Sequence, residues 1–84
     1  MKKLSKSPRA RDVFAKNLRR ARRLRDISQE ELALRAGISR TYVSEVERAS
    51  RNISIDNMGL LAQALQVPLR DLVDADMFKS LEQS

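Results

Sequence analysis

The sequence predicts an all-α fold, a compact bundle of five short helices. Three observations point there. Apolar residues recur three and four positions apart, and no stretch alternates with period two. Helix-start residues stand ahead of each apolar stretch: Ser7-Pro8, Ser28, Ser39, Asp56 and Pro68. The chain has 84 residues, 42% hydrophobic but only 4% aromatic, which gives one small domain with an aliphatic core.

Residues 1–8 read as a flexible basic arm, and residues 9–84 as the folded domain. Ser7 and Pro8 fit the cap and first turn of a helix running to Arg25. Its apolar stripe is Phe14, Leu18 and Ala21, flanked by Val13 and Leu24, with Arg19, Arg20 and Arg23 off that stripe. Ser28 with Glu31 three residues later makes a capping box for a second helix, whose apolar side is Leu32, Ala33 and Ala36. Gly37 then ends it, because glycine takes a positive φ without strain. Ser39 caps a third helix, from Arg40 to about Ala49. Only Val43 and Val46, with Tyr42 at the margin, offer a seam for burial, so most of its circumference is left for something outside the core. A loop from Ser50 to Ile55 is expected to be anchored by Ile53 and Ile55. Asp56 opens a fourth helix with Met58, Leu61, Ala62 and Leu65. Pro68 opens a fifth, which carries Leu69, Leu72 and Val73 and is drawn on through Met77, Phe78 and Leu81.

Charge is unevenly placed. Residues 1–26 hold 11 basic and two acidic groups, residues 27–53 hold four of each, and residues 54–84 hold two basic and five acidic, making up the total of +6. A basic front end suits a polyanion, or serves as a solvated helix face. The chain has neither cysteine nor histidine. A disulfide framework and the usual zinc sites are therefore excluded, and the commonest general base and thiol nucleophile are missing. No enzymatic activity, metal, cofactor or small-molecule ligand is expected. No apolar run approaches the roughly 18 residues of a membrane span, and no apolar signal core is present, so the expectation is a soluble cytoplasmic protein. Surface attachment to a membrane through the first helix is disfavoured, because its apolar stripe is needed for the core.

Residues 29–48 resemble the helix-turn-helix of phage repressor and Cro-type DNA-binding domains. Gln29, Leu32, Ala33, Gly37, Ile38, Val43 and Val46 stand where that motif has its phosphate contact, core, turn and packing residues. The resemblance extends over about residues 9–74. Arg40 to Ile55, RTYVSEVERASRNISI, is similar to the recognition helix and following loop of restriction–modification controller proteins. The resemblance implies a homodimer on duplex DNA, with the third helix in the major groove. Arg40 would contact guanine, unless it is only a solvated charge, and Thr41 a thymine methyl or a phosphate. Tyr42 and Ser44 would meet backbone or base edges, unless Tyr42 only covers the turn and Ser44 is a neutral surface residue. Glu45 would accept from cytosine or pair with a nearby arginine. Gln29 would hold a phosphate through its amide, and Ser39, Arg48, Arg51 and Asn52 complete the candidate DNA-binding set. Arg22 and Glu47 match an arginine–glutamate pair of the family that orients the reading helix. The sequence departs from the family at Ala49 or Ser50 and at Gln66, where glycine is usual; a non-glycine residue in a left-handed cap is disfavoured by roughly 1 kcal/mol.

The last third would supply the dimer contacts. Leu69 and Leu72 are expected mostly in the core, and Met77, Phe78 and Leu81 at the interface. The implied function is transcriptional regulation from a pseudo-palindromic operator, with RNA polymerase as a further partner and an autoregulatory controller of a restriction–modification system as the narrower possibility. The alternative is a helix-turn-helix interaction module, of coactivator or antitoxin type, that does not read DNA.

Overall fold

Phe14, Leu18 and Ala21 stand about one helical turn apart, and they form the buried face of α1 (Ala10–Leu24) in the computed structural model, which describes residues 9–78. The expected serine–proline start and the basic arm lie outside the described residues. α1 is entered through Arg9, whose carbonyl accepts from the N–H groups of Asp12 and Val13. Leu24, placed on the flank of the stripe by spacing, is 58% exposed. Four helices follow: α2 (Gln29–Ala36), α3 (Arg40–Glu47), α4 (Ile55–Leu65) and α5 (Leu69–Leu72).

Serine begins three of them. The hydroxyl oxygens of Ser28, Ser39 and Ser54 accept from the N–H groups of Glu31, Tyr42 and Asn57, each three residues on. Only half of the expected capping box forms, because the Glu31 carboxylate is drawn to Arg35 one turn along α2. The start of α4 falls one residue earlier than Asp56, since Ser54 is the better cap. This shift carries Ile55 into the helix and leaves it 66% exposed, while Ile53 packs against the core as expected.

One device ends all four longer helices. Asp26, Gly37, Ala49 and Gln66 have φ of 57°, 74°, 59° and 59°, in the left-handed region. In each case the N–H of that residue returns to the carbonyl three positions back, and the next N–H to the carbonyl five back. The pairs are Asp26 to Arg23 with Ile27 to Arg22, Gly37 to Leu34 with Ile38 to Ala33, Ala49 to Val46 with Ser50 to Glu45, and Gln66 to Gln63 with Val67 to Ala62. This is the Schellman arrangement, which satisfies carbonyls a helix end would otherwise leave open. Only Gly37 has the residue type that takes the conformation without strain. A Cβ on Gly37 would meet nothing within 4 Å, so it is the backbone angle, not crowding, that asks for glycine there.

The core draws on every helix. Leu18, Leu32, Val43, Leu61 and Leu72, one from each, are fully buried, and Phe14, Val46, Leu65 and Phe78 close around them. α2 packs on α3 and α4, α1 packs on α3 and α5, and α4 packs on α5, so the five elements form a closed ring.

α5 is shorter than expected. It stops at Leu72 instead of running on towards Phe78, because the buried Asn17 of α1 takes the carbonyls that a longer helix would need. Its amide nitrogen donates to Asp71 (3.3 Å), Leu72 (3.1 Å) and Asp74 (2.7 Å). The Asp74 carboxylate then accepts from the N–H of Asp76 and turns the chain. The turn folds Phe78 into the core at 7% exposure, which corrects its assignment to the dimer interface. Leu81 lies outside the described residues, and Met77, 39% exposed, stays on the surface.

Candidate nucleic-acid interface

The sequence GIS, Gly37 to Ser39, joins α2 to α3 in three residues. Gly37 stops α2, Ile38 is tied by its N–H to Ala33, and Ser39 starts α3. Ala33, 4% exposed, is small where the two helices meet, and Val43 and Val46 press α3 onto the core. The angle between the helices is therefore fixed by local chemistry, and the rest of α3 faces outward.

A buried ion pair sets the back of α3. Glu47, 2% exposed, accepts from Arg22 Nε at 2.7 Å and Nη2 at 3.1 Å. Gln29 Nε2 donates to the same carboxylate at 2.9 Å. Arg22 also donates to the Ile27 carbonyl at 2.9 Å, and Arg19 donates to the Glu47 carbonyl. Helices α1, α2 and α3 are thus joined at one carboxylate, and among the described residues no buried side-chain nitrogen or oxygen lacks a partner. A pair this deep adds little net stability over apolar packing, but its halves cannot be separated cheaply.

The outer face of α3 carries the expected residues. Arg40 and Thr41 are exposed at the N-terminal end, and among the described residues no ion pair holds Arg40. Ser44 accepts from Arg48 Nη1 at 2.6 Å. Glu45 pairs with Arg51 Nε at 2.8 Å, so of the two roles weighed for Glu45 the free protein has the arginine partner. Arg51 also lies over the Tyr42 ring, 4.8 Å from its centroid, and the Tyr42 hydroxyl accepts from Asn57 Nδ2 at 3.0 Å. Tyr42 is therefore half-buried, tying the loop after α3 back to α4. Ser39 is occupied as a cap, and Asn52 is exposed on the loop. Gln29, expected on a phosphate, has its amide turned to Glu47; its second amide hydrogen and its backbone N–H are not used by that bond.

Sequence reasoning missed several partners. Arg25 donates through Nε to the Leu65 carbonyl at 2.8 Å and through Nη2 to the Gln66 carbonyl at 3.1 Å, closing the end of α4. Asn17 stands three residues from Phe14 and four from Ala21, a spacing that places it on the buried stripe. The Arg9 guanidinium chelates Asp12 at 2.9 and 3.1 Å, and by hydrogen bonding it holds that carboxyl below its usual range.

A left-handed glycine between two serine-capped helices, with the second helix pinned by two valines and otherwise turned outward, defines a helix-turn-helix protein. The chain belongs to the helix-turn-helix family, whose model matches residues 18–72. It is 38% identical over 72 residues to control protein C.BamHI of Bacillus amyloliquefaciens, a match covering 84% of this chain and 89% of that protein. It is similar in structure to the restriction-modification controller protein C.AhdI from Aeromonas hydrophila, with a TM-score of 0.72 and 42% identity over 74% of this chain and 94% of the other. The restriction-modification controller protein C.Esp1396I, solved as a tetramer in complex with its natural 35 base-pair operator, matches with a TM-score of 0.70 and 27% identity over 92% of this chain and 95% of that one. Among the described residues no helix is long and apolar enough to cross a membrane.

Proposed function

We propose that this protein is a cytoplasmic, non-enzymatic regulator of transcription that binds duplex DNA as a homodimer, of the restriction–modification controller kind. The observation that carries this reading is α3. Its inward side is sealed by Val43, Val46 and Glu47, and its N-terminal end presents an exposed Arg40 and Thr41 at an angle fixed by Gly37. An arginine in that position can contact guanine O6 and N7 in the major groove, and Thr41 a thymine methyl or a phosphate. Gln29, Ser44, Arg48, Arg51 and Asn52 border the same face and would hold phosphates or base edges. A relative of the same fold has been solved on its natural operator, which supports the assignment of α3 to the groove.

One recognition helix reads too few base pairs to address a genome, so a second copy is needed. The dimer would draw on the exposed apolar residues of the last third of the chain. There Leu60 of α4 is 40% exposed, and Val73 and Met77, just past α5, are 49% and 39% exposed. Phe78, held in the core, takes no part in it. On an operator that overlaps a promoter such a dimer blocks RNA polymerase; just upstream it can touch the polymerase and assist it.

Selection from a randomised duplex pool tests the reading. An enriched palindrome with half-sites about one helical turn apart is the expected result. Salt-sensitive retention of any duplex without enrichment would overturn sequence reading by Arg40 and Thr41. A response that is flat with salt would favour the interaction module instead.

A further inference from the structure

A cleft of about 350 Å³ opens where α1 passes the end of α3. Asp12, Ala15, Lys16 and Arg19 line it from α1, and Arg48 and Ala49 from the segment after α3. Three cations line it, Lys16, Arg19 and Arg48. The one carboxylate, Asp12, is chelated by Arg9, which cancels its charge locally. Arg19 uses one nitrogen on the Glu47 carbonyl and Arg48 one on Ser44, so each guanidinium keeps further N–H groups. Lys16 is exposed and has no hydrogen bond or ion pair among the described residues.

The geometry points to this cleft as a seat for a backbone phosphate of the duplex, with Lys16 of α1 as a DNA contact that the reading face does not include. The inference rests on the proposed placement of α3 in the groove. Arg40 and Arg48 are eight residues apart, about 12 Å along a helix axis, and the major groove is about 12 Å wide. With Arg40 at the bases, the Arg48 end therefore reaches the sugar–phosphate wall. Ser44 lies midway on that line, four residues from each arginine, so the cleft continues the reading face onto α1. An acidic protein surface would satisfy the same cations, but only a duplex follows from this continuity.

The test is the salt dependence of binding to a random-sequence duplex of about three helical turns, measured by fluorescence anisotropy for the wild type, Lys16→Gln and Arg70→Gln. Arg70 is exposed on α5 and does not line the cleft, and its substitution changes net charge equally. The wild type should show a steep slope of log affinity on log salt. Lys16→Gln should lower that slope by about one per protomer, so that a dimer loses about tenfold less affinity than the wild type between about 50 and 200 mM salt. Arg70→Gln should leave the slope in place, and Lys16→Arg should restore it. A steep wild-type slope that Lys16→Gln leaves equal to that of Arg70→Gln overturns the phosphate seat alone. A flat wild-type slope overturns the DNA reading and the seat together.

Discussion

The arginines of α1 and those of α3 with its loop behave differently. On α1 and just after it, Arg19, Arg22 and Arg25 end on the Glu47 carbonyl, the buried Glu47 carboxylate, and the carbonyls of Leu65 and Gln66. On α3 and after it, Arg40 is exposed, Arg48 leans on a serine, and Arg51 pairs with Glu45 and lies over the half-buried Tyr42 ring. In the segment with the larger positive charge, three arginines thus help to hold the protein together. The electrically neutral segment, residues 27–53, presents Arg40 and Arg48 exposed. Net charge measures how much cation is present; burial and partners decide which of it a polyanion can reach.

The contrast can be broken most strongly at Arg22. Arg22→Met leaves the Glu47 carboxylate buried with the Gln29 amide as its remaining side-chain partner, and should destabilise by about 3–5 kcal/mol. For a domain of this size the thermal midpoint, followed by circular dichroism, should fall by at least about 12 °C. Retention of full stability and DNA affinity would remove the orienting role of the pair. Arg40→Ala should do the reverse. It should weaken binding to the selected duplex by about 1–3 kcal/mol, seen by anisotropy, while the melting curve stays within about 0.5 kcal/mol of wild type. Arg25→Ala should remove two hydrogen bonds to the end of α4 and, because the side chain is exposed, lower stability in urea titrations by only about 1 kcal/mol.

The smallest pair of changes sharpens a second contrast, between two helix ends of the same geometry. Gly37→Ala and Ala49→Gly exchange residue types at matching left-handed positions. The first should lose, and the second gain, roughly 1 kcal/mol in the same titration.

What the sequence made legible is what neighbours decide. The caps at Ser28 and Ser39, the turn at Gly37 and the burial of Val43 and Val46 each depend on residues within a few positions. The Arg22–Glu47 pair was legible through its match to a family pattern, since nothing in local spacing links residues 25 apart. The rest depended on partners that periodicity does not reveal. Arg25 meets carbonyls 40 and 41 residues away, and Tyr42 meets Asn57 across a loop. The length of α5 was misjudged because its apolar residues continue helical spacing past Leu72, while the Asn17 amide ends the helix from a distance. The same event moved Phe78 inward. Asp26 was unforeseen as a helix end because aspartate is only an occasional left-handed residue.

The reach of Asn17 has a consequence for how the chain comes to be made. Its amide sits on the first helix, and its acceptors are not complete until residue 74 has been synthesised. A ribosome emits the chain from the front, so α1 leaves the exit tunnel with a polar group on its apolar stripe and nothing to answer it. The ring can close only once almost the whole of the described chain has emerged. The turn from α2 to α3 is coded by neighbours, whereas the Asn17 amide of α1 cannot reach its full set of acceptors before residue 74 has emerged. Premature termination within α5 would therefore yield a chain in which this amide and part of the core stay open, a form suited to proteolytic removal.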